Sequence, residues 1–249
     1  MVKLKQVHNI IDYMGMSKIK WSGYKWQTRE RWGDIHPDKA YVWYDPKCVK
    51  VDNWGYAHLE THYNPRVFPN IGESKYGVGL LSSVDDFDYG YFEIEAKLPS
   101  AKKIWPAFWL WASDSWPPEI DIFEGYTNDD NSYLNPSIKT PLGFWNVVPN
   151  FHYNQQGVIK STGTKQKYWG FKDPSKHFIK YSCLWTPDLI EIKYDGYLIK
   201  RITDKSLLKY FTGMKMRVII NNHLYGEPTN KSDHYSDFVV KYFKYDKLK

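Results

Sequence analysis

The 249-residue sequence predicts an all-β fold, an antiparallel β-sandwich, on three observations. Aromatic residues make up 18% of the chain, with 12 Trp, 21 Tyr and 12 Phe, and such side chains favour strands and fill the space between sheets. Short apolar or alternating runs recur throughout, each bounded by Gly, Pro, Asn or Asp, which is how strands and turns succeed one another. Helical periodicity is almost absent. No repeat, low-complexity tract or long linker divides the chain, so residues 1–249 read as one domain.

The elements follow in order. Cys48 to Val51 and Tyr56 to Thr61 flank Asp52-Asn53-Trp54-Gly55 and predict a hairpin. Gly90 to Leu98 alternates, with Phe92, Ile94, Ala96 and Leu98 on one face and Tyr91, Glu93, Glu95 and Lys97 on the other. Trp105 to Trp111 is almost wholly apolar, as a strand buried on both sides would be. Phe178 to Trp185 predicts a strand. Leu189 to Tyr194 and Tyr197 to Ile202 predict a hairpin closed by Asp195-Gly196. A single short helix is expected at Lys205 to Phe211, capped by Thr203 or Asp204. Met216 to Asn221 and Phe238 to Tyr245 close the series.

Charge and cysteine usage narrow the function classes. The net charge is +6, but the 34 basic residues are scattered and Lys102-Lys103 is typical of the densest runs. A nucleic-acid partner is therefore not expected. No apolar run reaches membrane-spanning length, so no membrane partner is expected either. Met1 to Lys20 lacks the uninterrupted apolar stretch of a secretory signal. Cys48 and Cys183 allow at most one disulfide, and no C-x-x-C metal pattern occurs. The expected state is a monomer that needs no cofactor.

The chemistry is concentrated in Trp116-Pro117-Pro118-Glu119-Ile120-Asp121-Ile122-Phe123-Glu124. Glu119 and Asp121 share a strand face, but strict alternation would put Phe123 there too. One extra residue, a β-bulge, returns Glu124 to the acidic face. Three carboxyl groups then line about 13 Å of strand, at roughly 3.3 Å per residue over four effective steps. Acids so close resist ionising together, and a strand built only for stability gains nothing from them. Cleavage of a glycosidic bond with retention needs such a set. One carboxylate attacks the anomeric carbon and a second carboxyl protonates the leaving oxygen, about 5–5.5 Å away. A solvated edge strand is the plainer explanation of alternating acids, but the apolar Trp105 to Trp111 run just upstream argues against it.

These residues resemble glycoside hydrolase family 16, the concanavalin-like jelly-roll endo-β-glycanases. Glu119-Ile-Asp121-Ile-Phe-Glu124 matches the family's bulged E-x-D-x-x-E pattern, and Trp105-Pro-Ala-Phe-Trp109 matches the strand that commonly precedes it. Gly90 to Pro99, Tyr181 to Asp188, Tyr194-Asp195-Gly196 and Ser236 to Tyr242 are similar to further family segments, in order from about Gly79 onward. The first 70 or so residues match weakly. The resemblance implies a jelly roll with a concave substrate cleft. It also implies Glu119 as nucleophile, Asp121 as assisting acid and Glu124 as acid/base, with Trp109, Trp116, His152 and Asn221 as substrate-binding candidates. Some members hold a structural Ca²⁺ through an Asp like Asp237.

The implied activity is endo-hydrolysis of a β-linked polysaccharide, a β-1,3-glucan or a β-linked galactan, by double displacement and outside the cell. The alternatives are a sulfated-galactan hydrolase of porphyranase or carrageenase type, a transglycosylase, and a non-catalytic carbohydrate-binding sandwich. The loops from Thr127 to Gln156 point to no particular subgroup.

Overall fold

In a computed structural model, residues 17–30, 32–36, 39–69, 71–125, 144–162, 166–169, 172–228 and 234–248 are described. The first third of the chain forms β1 (Lys18–Trp21), β2 (Tyr24–Gln27), β3 (Val42–Tyr44), β4 (Val49–Val51), β5 (Ala57–Phe68), β6 (Gly72–Val78) and β7 (Leu80–Ser83). The middle forms β8 (Gly90–Lys97), β9 (Ile104–Ala112), β10 (Glu119–Glu124), β11 (Phe144–Gln155), β12 (Val158–Ser161) and β13 (Gln166–Trp169). The last third forms β14 (Ile179–Trp185), β15 (Ile190–Tyr194), β16 (Tyr197–Ile202), α1 (Lys205–Leu208), β17 (Met216–Leu224) and β18 (Tyr235–Lys247).

Two sheets make the sandwich. One runs β1-β2-β7-β17-β9-β10-β11-β12, with β13 on β11. The other runs β16-β15-β14-β8-β18-β5-β6-β3, with β4 on β5. The sandwich is antiparallel as expected; among the described strands β3 with β6 pairs in parallel. The alternation read in β8 holds, with Phe92, Ile94 and Ala96 fully buried. They face Phe108, Leu110, Ile120, Ile122 and Phe123 of the other sheet in one core. Phe123 packs on Tyr181 with ring centroids 4.5 Å apart.

Turn chemistry lies where the sequence puts it. Asp195 and Gly196 have φ of 46° and 83°, the left-handed pair that a tight hairpin between β15 and β16 requires. Asp204, rather than Thr203, caps α1 by accepting from the Ser206 N–H at 2.8 Å, and Lys209–Phe211 continue it as a 3₁₀ turn. Part of the segment read as loop between Thr127 and Gln156 is the twelve-residue strand β11. Residues 127–143 of that segment, and residues 1–16 of the N-terminal reading, lie outside the described residues.

β9 departs from burial on both faces: Trp105 and Trp109 are only half-buried, while Phe108 and Leu110 lie in the core. Trp109 packs against a second apolar cluster that includes Tyr44, Tyr76, Trp111 and Ile219. Strands β3 and β6, from the weakly matching N-terminal region, thus supply apolar packing on the Trp109 side of the sheet. Cys48 and Cys183 are both buried and unpaired, and no described helix is long and apolar enough to cross a membrane.

Candidate active site

β10 lies between β9 and β11. Toward β11, Glu119 faces His152, Asp121 faces Asn150 and Glu124 faces Val148. Toward β9, Asp121 faces Trp109 and Phe123 faces Phe108, so Ile122 and Phe123 together oppose one residue. That is the bulge the acid spacing demands. It turns Ile122 and Phe123 into the core, both fully buried, and leaves Glu119, Asp121 and Glu124 on the opposite face.

A bulge removes a carbonyl from the sheet ladder, and a buried carbonyl needs a donor. The Ile122 carbonyl accepts from the Tyr194 hydroxyl at 2.6 Å. Tyr194 stands on β15 of the other sheet and is fully buried. Burial, and then the Asp121 charge, hold its phenol pKa well above the usual range, so it remains a donor. Nothing in the Tyr194-Asp195-Gly196 motif signals this contact.

Asp121 is 1% exposed, and its ionisation is tied to that of Glu119 and Glu124 on either side. Acids this close titrate together rather than one by one. Burial raises all three. The Asp121 charge adds to this at Glu119, and the Glu124 charge adds to it at Asp121. Glu124 is pushed up to about 7 by burial and by Glu119, against the pull of His152, Asp121 and Asn150.

Two β11 side chains organise this row. His152 Nε2 lies 3.5 Å from Asp121 and 3.8 Å from Glu119. Asn150, which sequence reasoning missed, lies close enough to Glu124 to lower its pKa, and its Nδ2 lies 2.9 Å from His152 Nε2. Its Oδ1 accepts from the Phe151 N–H at 2.9 Å and from Ser161 Oγ at 2.7 Å. Those two donors fix which end of the amide faces the acids. An Asn inside a strand carries no sequence signal of that kind. One ligand atom from each of Glu119, Asp121 and His152 also lies within 4.8 Å of the others, close enough to hold a cation.

The remaining candidates separate into two groups. Trp116 is 43% exposed, donates its Nε1–H to Glu119 at 2.5 Å and lies 6.0 Å from the His152 ring. Trp109, half-buried, stands beside Asp121 in register. Asn221 stands on β17 opposite Ala107 of β9. It is buried, and its amide accepts from Trp109 Nε1 at 2.8 Å and donates to the Trp105 carbonyl at 3.2 Å. It thereby holds the Trp109 indole in place.

Asp237 binds a histidine through one of its oxygens. Its Oδ2 lies 2.8 Å from His58 Nδ1, and His58 Nε2 lies 3.4 Å from Asp52. Burial alone would lower the His58 pKa, but the bond and charge of Asp237, then those of Asp52, raise it overall. Among the described residues Asp237 Oδ1 is buried without a hydrogen-bond partner, so one oxygen of this carboxylate stays open to a cation.

The sequence matches the family model for glycosyl hydrolases family 16 over residues 40–242. It is 29% identical over 172 residues to the endo-1,3-1,4-beta-glycanase EglC of Rhizobium meliloti (strain 1021), covering 68% of this chain and 33% of that protein. It is 44% identical over 213 residues to a beta-1,3-glucan-binding protein of Penaeus monodon, covering 75% and 55%. The chain thus spans between a third and about half of these two relatives. The fold is similar to the laminarinase catalytic domain from Thermotoga maritima MSB8, with a TM-score of 0.64 at 23% identity over 84% of each chain.

Proposed function

The chain belongs to glycosyl hydrolase family 16, and from that premise we propose that it is a retaining endo-β-glycosidase acting on a β-1,3-glucan or a β-linked galactan. The observation that carries this reading is the row itself, three acids brought to one face of β10 by a bulge, with Asp121 buried between the two Glu residues. Double displacement uses carboxyl groups close together, about 5–5.5 Å apart, and a compact row of this kind suits it.

Glu119 is the nucleophile. Burial and the Asp121 charge raise its pKa, while His152 and the Trp116 N–H on its Oε2 oppose them and favour the carboxylate that must attack the anomeric carbon. Glu124, raised to about 7, is protonated near neutral pH and gives its proton to the departing oxygen, then activates water in the second step. Asp121 passes protons between them. As Glu119 is consumed by the glycosyl bond, its charge no longer opposes ionisation of Glu124, which suits Glu124 to the role of base.

Half-buried aromatics extend the row at both ends. Trp116 stands by Glu119, while Trp105 lies on the same face of β9 two residues beyond Ala107, the partner of Glu124. Flat rings on either side of the reacting bond suit a long chain held across several sugars, so that remote binding helps distort the reacting ring.

The glucan-binding relative favours one other reading, a sandwich that grips glycan without cutting it. Proton NMR of fresh digests over a panel of laminarin, mixed-linkage glucan, agarose, porphyran and carrageenan decides between them. The proposal expects internal cleavage of one substrate and first appearance of the β anomer. An initial α anomer would exclude double displacement, and binding without cleavage of any glycan would favour the other reading.

A further inference from the structure

We propose that Asp45, Cys48 and His62 form a binding site for a divalent transition-metal cation of the zinc class, on the sheet that does not carry the acids. The site starts from local sequence. Asp45 precedes the 3₁₀ turn Pro46–Cys48 and caps it, accepting from the Lys47 N–H at 2.9 Å. One turn of such a helix brings residues three apart to the same side, so Asp45 and Cys48 point together at β5. His62, on β5, meets them there. Cys48 Sγ lies 3.7 Å from His62 Nδ1 and 3.9 Å from Nε2, and one ligand atom from each of the three residues lies within 4.8 Å of the others.

Asp45 gives the independent reason for a cation. It is 1% exposed, and buried charges are paired or bound to metal. Its partners are neutral N–H groups: the Lys47 amide and Asn64 Nδ2, the latter at 2.8 Å. Lys47 and Arg66 line the cavity of about 340 Å³ beside it, yet among the described residues no ammonium or guanidinium pairs with this carboxylate.

Thiolate, imidazole and carboxylate are together a zinc donor set. Tetrahedral bonds of ordinary length would set sulfur and nitrogen about 3.6 Å apart, close to the spacing seen. Asn64 and the Lys47 amide orient the carboxylate from behind, as outer partners of metal ligands do. Gly77 lets β6 pass directly under the cluster, since a Cβ there would sit 3.0 Å from Asp45 Cβ and 3.4 Å from Cys48 Sγ. A bound ion would tie the turn after β3 to β5.

Cobalt(II) and zinc(II) titrations of metal-stripped protein test this. The expected result is a thiolate-to-cobalt charge-transfer band that saturates at one ion per chain, and a melting temperature raised by zinc and restored by chelator. Cys48→Ser and His62→Asn should each lose the zinc-dependent rise. Cys48→Ser should also lose the charge-transfer band, while Cys183→Ser should keep both signals. Should Cys48→Ser fail to fold, the half-buried His62→Asn carries the same test through its zinc response. Absence of the band in the native protein, or its survival in Cys48→Ser, would overturn the site.

Discussion

Replacing Tyr194 by Phe would separate the bulge's architecture from its chemistry. The substitution removes one oxygen and leaves the ring packed against Tyr181, 5.0 Å away. What it strips is the donor to the Ile122 carbonyl, a fully buried group with no pairing in the register on either side of β10. An unsatisfied buried acceptor costs about 1–3 kcal/mol. At roughly 2–4 °C per kcal/mol for a domain of this size, the melting temperature should fall by roughly 2–12 °C. The freed carbonyl can regain a partner only if the bulge relaxes, and that moves Asp121 and Glu124 relative to Glu119. A displacement approaching 1 Å at a reacting group costs up to about 100-fold in rate. Hydrolysis of the polysaccharide identified by the substrate panel, measured as reducing-end release well below the melting temperature, should show kcat lowered by about 10–100-fold with KM nearly unchanged. A variant that melts lower yet keeps kcat within about twofold would refute the reasoning, because the hydroxyl would then support the fold and not the alignment of the acids.

Other perturbations address the acids one at a time. Glu119→Ala should lower turnover by several orders of magnitude while polysaccharide binding and far-UV circular dichroism stay near wild type; more than a tenth of native activity would remove it from the role of nucleophile. Glu124→Ala should harm substrates with good leaving groups least, and azide should restore turnover with a β-glycosyl azide as product, since Glu119 still forms the covalent intermediate. Equal losses on activated and natural substrates would assign Glu124 elsewhere. Glu124→Gln should stabilise the fold at neutral pH. The folded pKa of about 7 exceeds the unfolded value near 4.3, so this group's contribution is intact below about pH 4 and is lost as pH rises through 7. The shift amounts to about 4 kcal/mol at most, and denaturant melts at pH 4 and pH 8 should show the variant's advantage only at pH 8. Trp116→Ala should raise KM for long substrates and, through the lost bond to Glu119, lower kcat as well; a change in neither would take Trp116 out of the site.

The parts of this protein legible in sequence are those fixed by near neighbours. The Asp52–Gly55 and Asp195-Gly196 turns, the alternation of β8 and the extra residue in β10 all depend on a few adjacent side chains. What stayed hidden depends on distant ones. Tyr194 meets Ile122 across 72 residues, and Asn150 matters because Ser161, His152 and Glu124 converge on it. Asn221 reads as a polar residue beside a cleft, yet its amide is consumed by two tryptophans of β9. The same strand reads as uniformly apolar because Trp serves equally in a core and on a site wall. The parallel pairing of β3 with β6 brings together segments more than 30 residues apart, beyond the reach of any local pattern.

The bulge in β10 also makes the spacing of the acids indivisible. Side chains on a strand alternate, so the chain can be lengthened or shortened between Asp121 and Glu124 only in whole residues. Loss of one residue would remove the bulge, and plain alternation would then keep all three acids on one face. Gain of one would turn the Glu124 carboxylate inward, toward the layer where Phe123 meets Tyr181. Changes in what the protein grips can accumulate gradually in segments that do not set this register. A change in how it cuts would have to arrive in a single discontinuous step.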